Sequence, residues 1–184
     1  MVKTSKLISF ILRHKPDAFN IKLDEHGWCD VGELLDAVNY TGKKLDFNGL
    51  VEIVDTDNKQ RYSFNHDKTL IRANQGHSIN VDVELEECKP PLHLFHGTAE
   101  RFLDKILEEG IRPMNRMYVH LSKDRYTAMN VGERHGIPTA IMISSGRMYA
   151  DGYKFYKSKN GIWLTEYVPT KYFRYVVKEE SNES

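Results

Sequence analysis

The sequence runs to 184 residues, 40% hydrophobic and 28% charged, an ordinary globular composition with length for one good core or two small ones. Lys and Arg number 26 against 26 Asp and Glu, so no global field advertises nucleic acid, and any such site has to be local. The two cysteines, Cys29 and Cys88, form no CxxC and argue against a disulfide framework or structural zinc; with no apolar leader or bilayer-length stretch, they point to a soluble, cytoplasmic chain.

Leu7, Ile8, Ile11 and Leu12 recur at helical spacing and predict a helix that Pro16 ends, with Arg13 and His14 in its last turn. A guanidinium fork beside an imidazole suits a phosphate monoester dianion, although cations at a helix C-terminus also simply complement the dipole. Asp24-Glu25-His26-Gly27 reads as a turn, and Asp30-Val31-Gly32-Glu33 as a capping box opening a helix with Val31, Leu34, Leu35 and Val38 on its apolar face. Phe47, Leu50, Val51 and Val54 predict a third helix. The period then changes to two: Arg61-Tyr62-Ser63-Phe64 and Leu70-Ile71-Arg72-Ala73 form a hairpin about Asn65-His66-Asp67-Lys68, with Arg61 facing outward. Three short helices followed by a hairpin is the winged-helix order, used on nucleic acids and in protein contacts alike.

Cys88-Lys89-Pro90-Pro91 is the best linker, giving an expected division into 1–90 and 91–178 with a disordered acidic tail at 179–184. Beyond it Leu92-His93-Leu94-Phe95 reads as a strand, followed by His96-Gly97-Thr98 with Thr98 capping a helix that Gly110 ends. Met117, Val119 and Leu121 alternate with Arg116, Tyr118 and His120, which predicts a strand with Arg116 and His120 on one face. Ser122-Lys123-Asp124 can cap a helix running to about Gly136, Thr139 to Ile143 reads as a buried strand, and Asn160-Gly161 turns the chain into Ile162-Trp163-Leu164. The expected class is α+β. No GxGxxG follows a strand and no GxxxxGK[ST] occurs, which argues against Rossmann and P-loop sites.

Leu12-Arg13-His14-Lys15-Pro16, Asp24 to Trp28, Arg61 to Phe64, Arg72-Ala73-Asn74-Gln75-Gly76-His77-Ser78, Leu94 to Thr98, Gly110 to Pro113, His120-Leu121-Ser122 and Asn160 to Thr165 together resemble the tRNA 2′-phosphotransferase (RNA 2′-phosphotransferase) family, in order from about residue 5 to 173. The resemblance implies an N-terminal winged-helix RNA lobe and a C-terminal ADP-ribosyltransferase-like lobe binding NAD+. It implies that an RNA 2′-phosphate attacks the nicotinamide ribose C1″, expelling nicotinamide. The ribose 2″-hydroxyl of the 2′-phospho-ADP-ribosylated RNA then attacks phosphorus, leaving 2′-hydroxyl RNA and ADP-ribose 1″,2″-cyclic phosphate. Such enzymes clear the 2′-phosphate left by some tRNA-splicing ligases.

The family's catalytic Arg-His-Arg-Arg set falls on Arg13, His14, Arg61 and Arg116. Arg13 and Arg61 are expected to grip the phosphate, His14 to orient it and Arg116, from the second lobe, to stabilise charge in the second step, all without a metal. NAD+ is expected on His96, Gly97 and Thr98, on Gly110, Ile111 and Arg112, and on His120 and Ser122. Where protein-modifying ADP-ribosyltransferases often carry a glutamate this chain has Ile162, which spares a phosphate dianion a like charge. Two other readings stay open: ADP-ribosylation of terminal phosphates of RNA or DNA, and a non-enzymatic winged-helix regulator that senses NAD+.

Overall fold

The computed structural model describes residues 2–178, and the expected acidic tail lies outside them. The fold is α+β, built on three small antiparallel sheets, and divides into two compact units. One comprises the chain up to Leu85 with Asn115–Met117; the other, Glu86–Met114 with the chain from Tyr118. Among the described residues no helix is long and apolar enough to cross a membrane.

In the first unit α1 (Val2–Arg13) buries Ile8, Ile11 and Leu12 completely, with Leu7 packed at the edge of the same cluster. Pro16 follows, and His14 N–H still makes a helical bond to Phe10 O at 3.0 Å, so His14 sits just past the last helical residue. A strand too short to show a period, β1 (Trp28–Asp30), leads directly into α2 (Val31–Tyr40). Asp30 caps α2, its Oδ1 accepting the Glu33 N–H at 3.0 Å, which is the N-cap half of the expected capping box. Helix α3 (Phe47–Asp55) differs from expectation in its buried face: Leu50 and Ile53 enter the core, whereas Phe47, at the first helical position, is 42% exposed and lies against Phe64. The hairpin forms as expected from β2 (Tyr62–Phe64) and β3 (Leu70–Ala73), pairing Tyr62 with Ala73 and Phe64 with Ile71, and β1 adds to the free side of β3.

In the second unit β4 (Leu94–Ala99) pairs with β6 (Pro138–Ile143), which pairs with β9 (Phe173–Lys178). A further sheet orders β5 (Val119–Leu121), β8 (Trp163–Thr165) and β7 (Tyr156–Lys157), with Gly161 at φ +79° in the turn between β7 and β8. Thr98 caps no helix. The strand runs through it to Ala99, and a 3-10 turn (Glu100–Phe102) intervenes before α4 (Leu103–Glu109). Asp124 rather than Ser122 caps α5 (Arg125–Glu133), accepting the Thr127 N–H at 2.8 Å, and the helix stops three residues short of Gly136. A short helix, α6 (Ser145–Ala150), follows β6. Leu94, Leu121, Ile141, Ile143, Phe155 and Tyr172 form the core.

Candidate active site

Arg13 closes α1, and the bend after β3 wraps it. Gly76, at φ +84°, brings its backbone against the guanidinium, so that a Cβ there would lie 3.6 Å from Nη1. Ser78 N–H donates to Arg13 O at 3.0 Å, while Ser78 Oγ and His14 Nδ1 share a hydrogen bond of 2.9 Å. Two guanidinium nitrogens of Arg13, Nε and Nη2, are buried without a protein partner. Buried cationic donors left open in this way are costly unless an anion completes them. Burial above all, then neighbouring Arg61 and Arg116, holds the Arg13 guanidinium below its ordinary value, with Tyr62 and Asp57 opposing.

His14 is likewise lowered, by burial first and then by Arg13 and Arg116, so its imidazole is neutral at pH 7 and can both donate and accept. Arg61 precedes β2. Its N–H donates to Asp57 Oδ2 at 2.7 Å, and its Nη1 pairs with Asp57 Oδ1. The outward strand position expected for Arg61 is thus modified: its side chain is 31% exposed and paired with a carboxylate. Arg116 lies in a bend, not on a strand. β8 offers β5 partners only from Val119 to Leu121, and Met117 N–H instead donates to His77 O at 3.3 Å. Asn115–Met117 therefore groups with the first unit, and Arg116, although it lies in the second half of the chain, joins Arg13 and His14 there. His77 itself is 3% exposed, with Nε2 unpartnered; burial, then Arg13, His14 and Arg72, pushes its pKa down to about 4.

In the second unit His96, Gly97 and Thr98 lie within β4. Phe95 and Ser122 exchange backbone hydrogen bonds at 2.9 and 2.7 Å, which lays the end of β5 beside β4. His96 Nδ1 is 3.1 Å from His120 O. A carbonyl only accepts, so Nδ1 carries the proton and Nε2 is left as an acceptor on a ring that burial keeps neutral. His96, His120 and Ser122 are thus brought together. Gly97 has a packing reason for its identity, because a Cβ there would lie 1.9 Å from Ala128 O of α5. Gly110, at φ +81°, ends α4 against Tyr167 and Val168, Ile111 is buried and backbone-paired with Val168, and Arg112 is exposed beside Glu109 and Tyr167.

The first 167 residues match the model of the RNA 2′-phosphotransferase, Tpt1 / KptA family. The chain belongs to that family. Among its relatives, a Fusobacterium nucleatum protein named "Probable RNA 2'-phosphotransferase" is 49% identical over 175 residues, covering 95% of this chain and 98% of its own length. Proteins of the same name from Flavobacterium johnsoniae and Agrobacterium fabrum are 47% and 48% identical, over 93% and 92% of this chain and 94% and 91% of their own lengths. Within this RNA 2′-phosphotransferase family member, the residue that sequence reasoning passed over is Asp57, while Gly76, His77 and Ser78 entered only as part of the family motif, with no role assigned. Arg13 and His14 come near Gly76 and Ser78 only once the chain is folded; the spacing of Asp57 four residues before Arg61 was the one local signal.

Proposed function

We propose that the protein removes a 2′-phosphate from RNA, using NAD+ as co-substrate. The observation that carries this reading is the pair of buried, unpartnered nitrogens of Arg13 beside Arg61, Arg116 and a neutral His14: a concentration of positive charge and open donors suited to a phosphate dianion. The helix and strand order of the first unit, with its sheet β1-β3-β2, supports a winged-helix RNA lobe; an ADP-ribosyltransferase-like role for the second unit accompanies the family.

Arg13 and Arg61 grip the phosphate oxygens, orienting one toward ribose C1″ while nicotinamide leaves with the electrons of its glycosidic bond. His96, Gly97, Thr98, Gly110, Ile111, Arg112, His120 and Ser122 are assigned to binding NAD+. In the second step the ribose 2″-hydroxyl attacks phosphorus and the RNA 2′-oxygen departs, taking up a proton. Arg116 stabilises the added charge on the phosphoryl oxygens, and neutral His14, held by Ser78, orients the group and relays a proton. The products are 2′-hydroxyl RNA, ADP-ribose 1″,2″-cyclic phosphate and nicotinamide, with no metal required. The test is nicotinamide release from NAD+ in the presence of a 2′-phosphorylated oligonucleotide. Release that depends on the 2′-phosphate and disappears with the 2′-hydroxyl control is the expected result; equal rates with both would refute the reading.

A further inference from the structure

Arg61 stands after a turn that leaves its side chain little freedom. Asp57 follows the end of α3 with only 6% of its side chain exposed, and its carboxylate accepts three hydrogen bonds. Oδ2 takes the Arg61 N–H at 2.7 Å; Oδ1 takes the Lys59 N–H at 3.2 Å and Arg61 Nη1. One carboxylate therefore fastens Arg61 at both ends, main chain and guanidinium. The turn is locked from outside as well. Gln60, at φ +43°, donates its N–H to Asp57 O at 2.8 Å, while Asn74 donates its side-chain Nδ2–H to Gln60 O at 2.7 Å and its backbone N–H to Arg61 O at 2.8 Å.

We propose that Asp57 is a positioning residue for phosphate transfer, fixing the Arg61 guanidinium in the orientation that grips the RNA 2′-phosphate; this rests on the phosphotransferase reading above. A guanidinium has five N–H donors, and engaging Nη1 with Asp57 leaves donors for phosphate oxygens. A free arginine samples many rotamers and would lose that freedom on binding substrate. Here it is already lost, so binding proceeds to a pre-organised fork. Asp57 also places a negative charge beside Arg61 and, to a smaller degree than Tyr62, opposes the lowering of the Arg13 guanidinium. Substrate is not repelled as by an open carboxylate, because both oxygens are engaged with donors.

The full chain with Asp57→Asn is assayed with 2′-phosphorylated RNA and NAD+. Turnover by the unaltered protein decides the phosphotransferase reading independently. The variant is expected to lose about 10- to 100-fold in kcat/KM for the RNA, the scale of a misplaced binding group, with the KM for NAD+ unchanged. In an Arg61→Lys background the same substitution adds less than about 2-fold, because the partner it positions is already gone. Should Asp57→Asn melt before assay, Asp57→Glu, which keeps the charge but moves it by one methylene, goes through the same cycle. A full additional loss in the Arg61→Lys background, a parallel rise in the KM for NAD+, or undiminished turnover of the single variant would overturn the proposal.

Discussion

His77 makes the cation cluster visible to an equilibrium measurement. In the fold its pKa drops from 6.5 to about 4, because burial and then Arg13, His14 and Arg72 disfavour the imidazolium. The unfolded chain binds a proton near pH 6.5 and the folded chain resists until about pH 4. Stability attached to this histidine is therefore complete above 6.5 and drains away as pH falls through that window. At 1.36 kcal/mol per pH unit the full loss is roughly 3 kcal/mol. His14 pulls the same way, whereas His26, raised by its hydrogen bond to Asp82 O, pulls the other; both persist in a His77→Gln variant, so the difference isolates His77. Thermal melts of both proteins from pH 7.5 to 4.5, a range that covers about 2.5 kcal/mol of that loss, should show the gap in Tm closing by roughly 5–10 °C, at about 2–4 °C per kcal/mol for a chain of this size. A gap that stays constant with pH would refute the reasoning.

Gly97→Ala places a methyl 1.9 Å from Ala128 O, so α5 must lift from β4; the cost is about 1–3 kcal/mol or more, seen as a lower Tm without NAD+ present, and an unchanged Tm would mean that Gly97 serves ligand contact alone. Arg13→Gln should lower turnover by about 10²- to 10³-fold while leaving Tm level or raised, since it removes a guanidinium whose buried nitrogens have no protein partner; a Tm lowered by many degrees would assign Arg13 to structure. Arg116→Ala should still release nicotinamide but accumulate ADP-ribosylated RNA, resolved on a denaturing gel; a block before nicotinamide release would contradict a second-step role.

The local signals in this chain were legible and the tertiary ones were not. Asp30 with Glu33, the hairpin about 65–68 and the Asn160-Gly161 turn each depend on residues a few positions apart, and each forms as the sequence indicates. The alternation from Met117 to Leu121 read as one strand back to Arg116, but a strand extends only as far as its partner, and Trp163–Thr165 pairs with three residues. Thr98 and Ser122 looked like helix caps because both residue types favour that position, yet backbone pairing claims Thr98 for β4 and ties Ser122 to Phe95 just past the end of β5. Gly97 and Gly132 matter because the α5 and β4 backbones cross closely, and no periodicity announces a crossing. Arg13 and His14 stood out as a phosphate-suited pair at the end of a helix, whereas Arg61 and Arg116 were reached through family resemblance. The parts that hold them, Ser78 64 residues from His14 and the backbone of His77 against that of Met117, are products of the fold.

The most direct test of phosphate transfer follows the phosphorus itself. RNA carrying a 2′-phosphate labelled with heavy oxygen is mixed with the protein and NAD+, and the products are weighed by mass spectrometry. The account predicts that the label appears in ADP-ribose 1″,2″-cyclic phosphate and that the RNA is left with an unlabelled 2′-hydroxyl. Label released as inorganic phosphate, or retained on the RNA while nicotinamide is liberated, would contradict it.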